Sequence, residues 1–173
     1  MSIQYPINTL RLQLTPFVKS DGDALYLLES DPIVKRFTGG TLTRDETEQL
    51  LQTFIAQVEQ SGLGAIAIKL RENEQLIGLC GLLQEAKRGE IFFGLARNAW
   101  GQGFASEACR ALIQAGFEQL ALERMIAVVD KENIRSIHVL ERLGMRLVDP
   151  QTDIESVASE LLYELVREPI NSL

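Results

Sequence analysis

Trp100-Gly101-Gln102-Gly103-Phe104-Ala105-Ser106 stands where a strand pattern passes into a helix pattern. Glycines at 101 and 103 let an anion approach main-chain N–H groups with no Cβ in the way. The helix that follows offers free N–H groups and about half a positive charge at its start. Ser106 adds a hydroxyl donor. The chemistry this suits is the cradling of a pyrophosphate; the bland alternative is an ordinary turn. No Lys-Ser or Lys-Thr pair follows the glycines, so the segment is not a Walker A loop. No parallel βαβ unit precedes it, so it makes a poor dinucleotide fingerprint. Glu90 opens a strand and could take a proton from an amine through water, or simply be a solvated carboxylate. Glu85 and Asp130 are weaker bases. His138 lies mid-helix without a sequence partner and reads as a half-buried packing residue. Cys80 and Cys109 form no C-x-x-C pair, and nothing in the spacing suggests a metal.

These residues need elements to hold them. Leu10 to Leu14 alternates apolar and polar and predicts a first strand. Asp21 or Asp23 can cap a helix to about Ser30, with Ala24, Leu25 and Leu28 as its stripe. Thr43-Arg44-Asp45-Glu46 is a capping-box pattern, and the helix behind it uses Leu50, Leu51, Phe54, Ile55 and Val58 before Ser61-Gly62. The period then changes to two. Ala65–Leu70, Gln75–Leu83 and Glu90–Leu95 predict three antiparallel strands, with turns at Asn73 and Arg88-Gly89. The helix after the glycine loop presents Ala105, Ala108, Cys109, Leu112, Gly116 and Leu120. Met125–Val129 is a short buried strand. Asn133 can cap a helix that ends at Leu143-Gly144. Met145–Val148 and Leu161–Val166 complete the strands, with Asp149 to Glu155 as a polar loop.

The chain has 173 residues, with 46% hydrophobic and 24% charged residues. That is ordinary globular usage and predicts a single domain over residues 1–173. With 24 Asp and Glu against 17 Lys and Arg, the formal net charge is −7. A nucleic-acid partner is not expected, because such binders carry a basic face. Surface acidity suits a cationic partner, or serves solubility alone. No signal peptide is evident and no apolar run approaches the ~20 residues of a membrane span. Two cysteines are too few for a disulfide scaffold, and the expected setting is cytoplasmic.

Trp100 to Ala108 resembles the acetyl-CoA loop of the GNAT superfamily of N-acetyltransferases. It is closest in pattern to the branch that acetylates ribosomal-protein N-termini and to its spermidine-acetylating relatives. Val129 to Met145 matches that branch's Asn-x-x-Ser…Leu-x-Gly-Phe segment. Leu10-Arg11-Leu12 matches its first strand and Leu76 to Leu82 its third. The resemblance implies an α/β (α+β) GNAT fold. Its mixed, mostly antiparallel sheet has about seven strands, flanked by about four helices, and the fourth and fifth strands splay apart. It also implies acetyl-CoA as co-substrate and no metal. Pantetheine would lie against Phe93, Gly94 and Leu95, and pyrophosphate on Trp100, Gly101, Gln102, Gly103, Phe104, Ala105 and Ser106. Trp100, in place of the superfamily's usual Gln or Arg, points to the N-terminal-acetylating branch. Gly94 replaces a larger residue, which either opens the acceptor side or relaxes the strand.

By the same resemblance, the Asn133 side-chain amide touches pantetheine or the CoA backbone, beside a structural reading as the cap of its helix. Many members place a Tyr where this chain has Ser136. The Ser136 hydroxyl is therefore assigned to stabilising the departing thiolate, with a purely structural role in its helix as the alternative. A backbone N–H near Gly94 or Leu95, at a bulge in the fourth strand, would hold the oxyanion. Ser136 and Glu90 are the catalytic candidates. Tyr163 lines the acceptor pocket or packs; Arg135 and Arg142 are candidate partners of the CoA 3′-phosphate. The expected function is acetyl transfer from acetyl-CoA to a primary amine, a protein N-terminus, polyamine or other small amine, by direct attack in a ternary complex. The expected assembly is a monomer or homodimer. The other reading is a non-catalytic GNAT-fold sensor of acyl-CoA.

Overall fold

The computed structural model describes residues 2–148 and 159–167. Eight strands are described: β1 (Ile7–Asn8), β2 (Leu12–Thr15), β3 (Gly64–Leu70), β4 (Leu76–Glu85), β5 (Arg88–Leu95), β6 (Arg124–Asp130), β7 (Arg146–Val148) and β8 (Glu160–Val166). Four α-helices accompany them: α1 (Gly22–Glu29), α2 (Arg44–Ser61), α3 (Phe104–Gln119) and α4 (Ile134–Arg142). One sheet runs in the order β1-β2-β3-β4-β5-β6-β8-β7. Every neighbouring pair is antiparallel except β5 and β6, which are parallel.

The sheet has one strand more than the seven expected. The addition is β1, whose two residues are too few to show an alternation. The first predicted strand starts two residues late, because Leu10 sits 87% exposed at the β1–β2 hairpin tip. The turn expected at Arg88-Gly89 lies at Ala86-Lys87, where Ala86 takes a φ of 51°. Arg88 and Gly89 instead pair with Glu85 and Gln84.

Two apolar layers cover the two faces. Leu82, Ile91, Leu112, Leu122, Met125 and Leu140 belong to the larger, under α3 and α4. Phe17, Leu25, Leu28, Leu51 and Leu79 belong to the smaller, under α1 and α2. Alternation along β5 divides its residues accordingly: Ile91, Phe93 and Leu95 face α3, while Phe92 faces α1 and α2 together with Glu90 and Gly94. Helix α2 begins as the sequence predicts: Thr43 Oγ1 accepts from the Glu46 N–H and the Glu46 carboxylate accepts from the Thr43 N–H. It ends at Gly62, φ 73°. Helix α3 approaches the sheet closely at Gly116, where a Cβ would lie 2.3 Å from the Met125 Cε. Two acids are buried with a lysine beside each: Lys69 Nζ lies 2.7 Å from Asp21, and Lys35 Nζ lies 2.7 Å from Glu29.

Candidate functional site

β5 and β6 pair only at Arg88–Arg124, Gly89–Met125 and Glu90–Ile126. Beyond Glu90 they part, while β4 stays paired with β5 to Leu95. The unpaired stretch has a definite polarity. The Ala96 N–H donates to the Ile77 carbonyl at 2.9 Å. Antiparallel alternation then turns the Gly94 peptide groups toward Leu79, and those of Phe93 and Leu95 away from β4, into the gap. The Leu95 carbonyl is used there by Trp100, whose Nε1 donates to it at 2.8 Å. The β4–β5 register runs without a shift from Arg88 to Leu95. The bulge expected near Gly94 is therefore absent from this pairing, and plain strand alternation is what presents the Phe93 and Leu95 N–H groups.

At the open end of the gap the chain turns into α3. Gly101 and Gly103 have φ of 74° and 80°. Gly103 caps the helix with no side chain of its own. The Glu107 N–H is the first to bond within the helix, donating to the Gly103 carbonyl at 3.0 Å. No described backbone group accepts from the N–H groups of Phe104, Ala105 or Ser106, and the Ser106 hydroxyl bonds to no described residue. A row of main-chain donors with a hydroxyl beside it is what an oxyanion of phosphate needs.

The opposite bank is the start of α4. Asn133 is its N-cap, accepting from the Ser136 N–H at 3.3 Å through Oδ1. The structural reading of Asn133 is thus correct. Its side-chain amide donors and the Ser136 hydroxyl have no partner among the described residues. The Arg135 guanidinium stacks 4.2 Å from the Trp100 ring centroid, so the two banks touch across the gap. Arg135 is exposed, with its guanidinium lying over that ring. Arg142 is exposed, and its carbonyl accepts from Arg110.

On the α1 and α2 side of β5, a Cβ built at Gly94 would meet no heavy atom within 4 Å beyond its chain neighbours. Open space lies there, four residues along β5 from half-buried Glu90 on the same face. The segment joining α1 to α2 reaches both banks. The Asp31 carboxylate accepts from Arg97 Nε at 2.6 Å, just past β5. Arg36 lies 3.8 Å from Glu132, just past β6. Desolvation raises the Asp31 pKa, but the Ile33 N–H, Arg97 and the Val34 N–H together outweigh it and hold the carboxyl below its ordinary value. The Asp149–Glu155 loop lies outside the described residues.

Several candidates fall away from the gap. Tyr163 is buried on the α3 and α4 face in the core, so it packs and does not line the acceptor side. His138 is exposed, not half-buried. Cys80 and Cys109 are wholly enclosed, and burial pushes both thiols up. Among the described residues no group of three or more His, Cys, Asp and Glu could hold a metal, and no helix is long and apolar enough to cross a membrane. What sequence reasoning missed is the support of the loop: Arg11 and Glu107, 96 positions apart, form an ion pair beside it. No local pattern signals such a pair.

The acetyltransferase (GNAT) domain family matches residues 11–146, and the chain belongs to it. It is an acetyl-CoA-dependent N-acetyltransferase. It is 34% identical over 159 residues to an uncharacterized N-acetyltransferase p20 of Bacillus licheniformis, covering 89% of each chain. It is 29% identical over 93 residues to the spermidine N(1)-acetyltransferase of Escherichia coli, covering 54% of this chain and 45% of that one. The crystal structure of an acetyltransferase from Agrobacterium tumefaciens superposes with a TM-score of 0.81 at 28% identity, covering 96% of this chain and 98% of that one.

Proposed function

We propose that the protein acetylates a primary amine, a protein N-terminus or a small amine, by direct attack on acetyl-CoA in a ternary complex. One observation carries this reading: the N–H groups at the start of α3, without a partner among the described residues, stand where β5 and β6 have parted. A ligand with phosphate at one end and a thioester at the other fits that arrangement. Gly101 to Ser106 would hold the pyrophosphate. Phe93 and Leu95 would pair with pantetheine along the free edge of β5, and the Leu95 N–H is placed to stabilise an oxyanion. Gly94 contributes by absence of a side chain, leaving room on the acceptor side. Asn133 fixes the first turn of α4 and turns its amide toward the gap. Ser136 donates a hydrogen bond as the sulfur gains charge. Glu90, at the point where the strands part, takes the amine's proton through water. Both cysteines are buried and hard to ionise, which argues against an acyl-enzyme.

The order of events is tested by initial rates measured with acetyl-CoA and amine varied together. Intersecting double-reciprocal lines are expected. Parallel lines would signify a covalent intermediate and overturn direct attack.

A further inference from the structure

We infer that Arg11, held by Glu107, is the residue that sets the glycine loop in its anion-binding conformation; this rests on the transferase reading above. Arg11 lies at the β1–β2 hairpin tip, outside the loop. Its Nη1 donates to the Gln102 carbonyl at 3.0 Å. A trans peptide points its C=O and the next N–H in opposite directions. Holding the Gln102 carbonyl toward Arg11 therefore turns the Gly103 N–H away from it. The guanidinium also lies 4.3 Å from the Phe104 ring centroid, over the first residue of α3. On its other side it is fixed by Glu107. The Nε and Nη2 atoms each lie 2.7 Å from Oε2, the two-armed geometry that only arginine supplies. The remaining carboxylate oxygen accepts from the Arg11 N–H at 2.9 Å and the Thr9 hydroxyl at 2.6 Å. Gln102 is tied a second time, its side chain donating to the Asn98 carbonyl at 2.8 Å.

Glu107 makes the proposal testable by sign. It is an anion in the first turn of α3. If it acted on an arriving phosphate by charge alone, removing that charge would tighten binding. If it acts by holding Arg11, removing the charge loosens the loop and weakens binding. Glu107→Gln, Arg11→Gln and the pair are titrated calorimetrically with CoA and with 3′-dephospho-CoA. Each single variant is expected to bind both ligands more weakly, Arg11→Gln by about tenfold, the scale of a lost charge-assisted hydrogen bond. The double variant should bind little worse than Arg11→Gln, because both substitutions break one clasp. KM for acetyl-CoA should rise with KM for the amine unmoved. Arg11→Lys, which keeps the charge but lacks the fork, should rescue stability without restoring affinity, and it replaces Arg11→Gln if that variant does not fold. Unchanged or tighter binding by Glu107→Gln would overturn the proposal. So would a loss confined to CoA and absent with dephospho-CoA, since Arg11 would then be contacting the 3′-phosphate itself. A parent protein that binds neither ligand would sink the transferase reading, a different result from either.

Discussion

Gly103 serves the loop through its backbone more than through space. A Cβ there would find its nearest neighbour, Arg11 Nη2, at 3.6 Å, an ordinary contact. Its φ of 80° is what a branched residue resists. Gly103→Val should fold, with a loss of about 1–3 kcal/mol to strain. It should show no saturable CoA binding by calorimetry, because a branched residue that resists this φ moves the loop amides out of place. Undiminished affinity would show the loop to be misplaced. Ser136 makes a different claim. Its hydroxyl has no partner among the described residues, and its proposed role begins as sulfur gains charge. Ser136→Ala should hold CoA nearly as well as the parent and lose about tenfold to a hundredfold in kcat, roughly 1.4–2.7 kcal/mol of barrier. An equal kcat with chemistry rate-limiting would leave water as the proton source, since Tyr163 is in the core. That Gly103 and Asn133 stand at helix starts was legible in the sequence, because a helix start has a local signature. Arg11 and Glu107 were not, because their meeting depends on where the β1–β2 hairpin folds.

At the scale of elements, the helices were legible wherever a cap announces them. Thr43 and Glu46 build the box that the spacing predicts, and Asn133 caps α4. The parting of β5 from β6 has no such signature. It is set by a parallel pairing that ends after three residues, between strands separated by a whole helix. Family resemblance reaches it; periodicity does not. Nor does periodicity reach the buried pairs of Asp21 with Lys69 and Glu29 with Lys35, which depend on the turn of α1 against the sheet. The capping box carries a pH dependence of known sign. Hydrogen bonds from the Thr43 N–H and hydroxyl hold the Glu46 carboxyl below its ordinary value of 4.5. A depressed carboxyl stabilises the fold fully above the unfolded pKa and loses that contribution as pH falls through the folded one. The melting temperature of the parent should therefore exceed that of Glu46→Gln at neutral pH. The difference should fade below about pH 4, read by circular dichroism across a pH series. A gap that persists at lower pH would assign it to shape instead of charge.

For the whole molecule, the two faces of the sheet separate two tasks. The α3 and α4 face carries the donors proposed for acetyl-CoA. The α1 and α2 face carries Glu90 and the open space over Gly94, bounded by the segment that contacts both banks. A ligand that bridges β5, α3 and α4 adds a further tie among elements that share one core. CoA or acetyl-CoA at about a hundred times its dissociation constant should stabilise the fold by roughly 2.7 kcal/mol, and NAD or ATP should not. A melting curve unmoved by millimolar CoA would count against the site. The most direct test of acetyl transfer itself uses acetyl-CoA labelled in the acetyl group with an array of small amines and N-terminal peptides, read by mass spectrometry alongside free thiol. The account predicts labelled amide on at least one amine, with one thiol released for each amide formed. Thiol release with no amide, or saturable CoA binding with neither product, would contradict it.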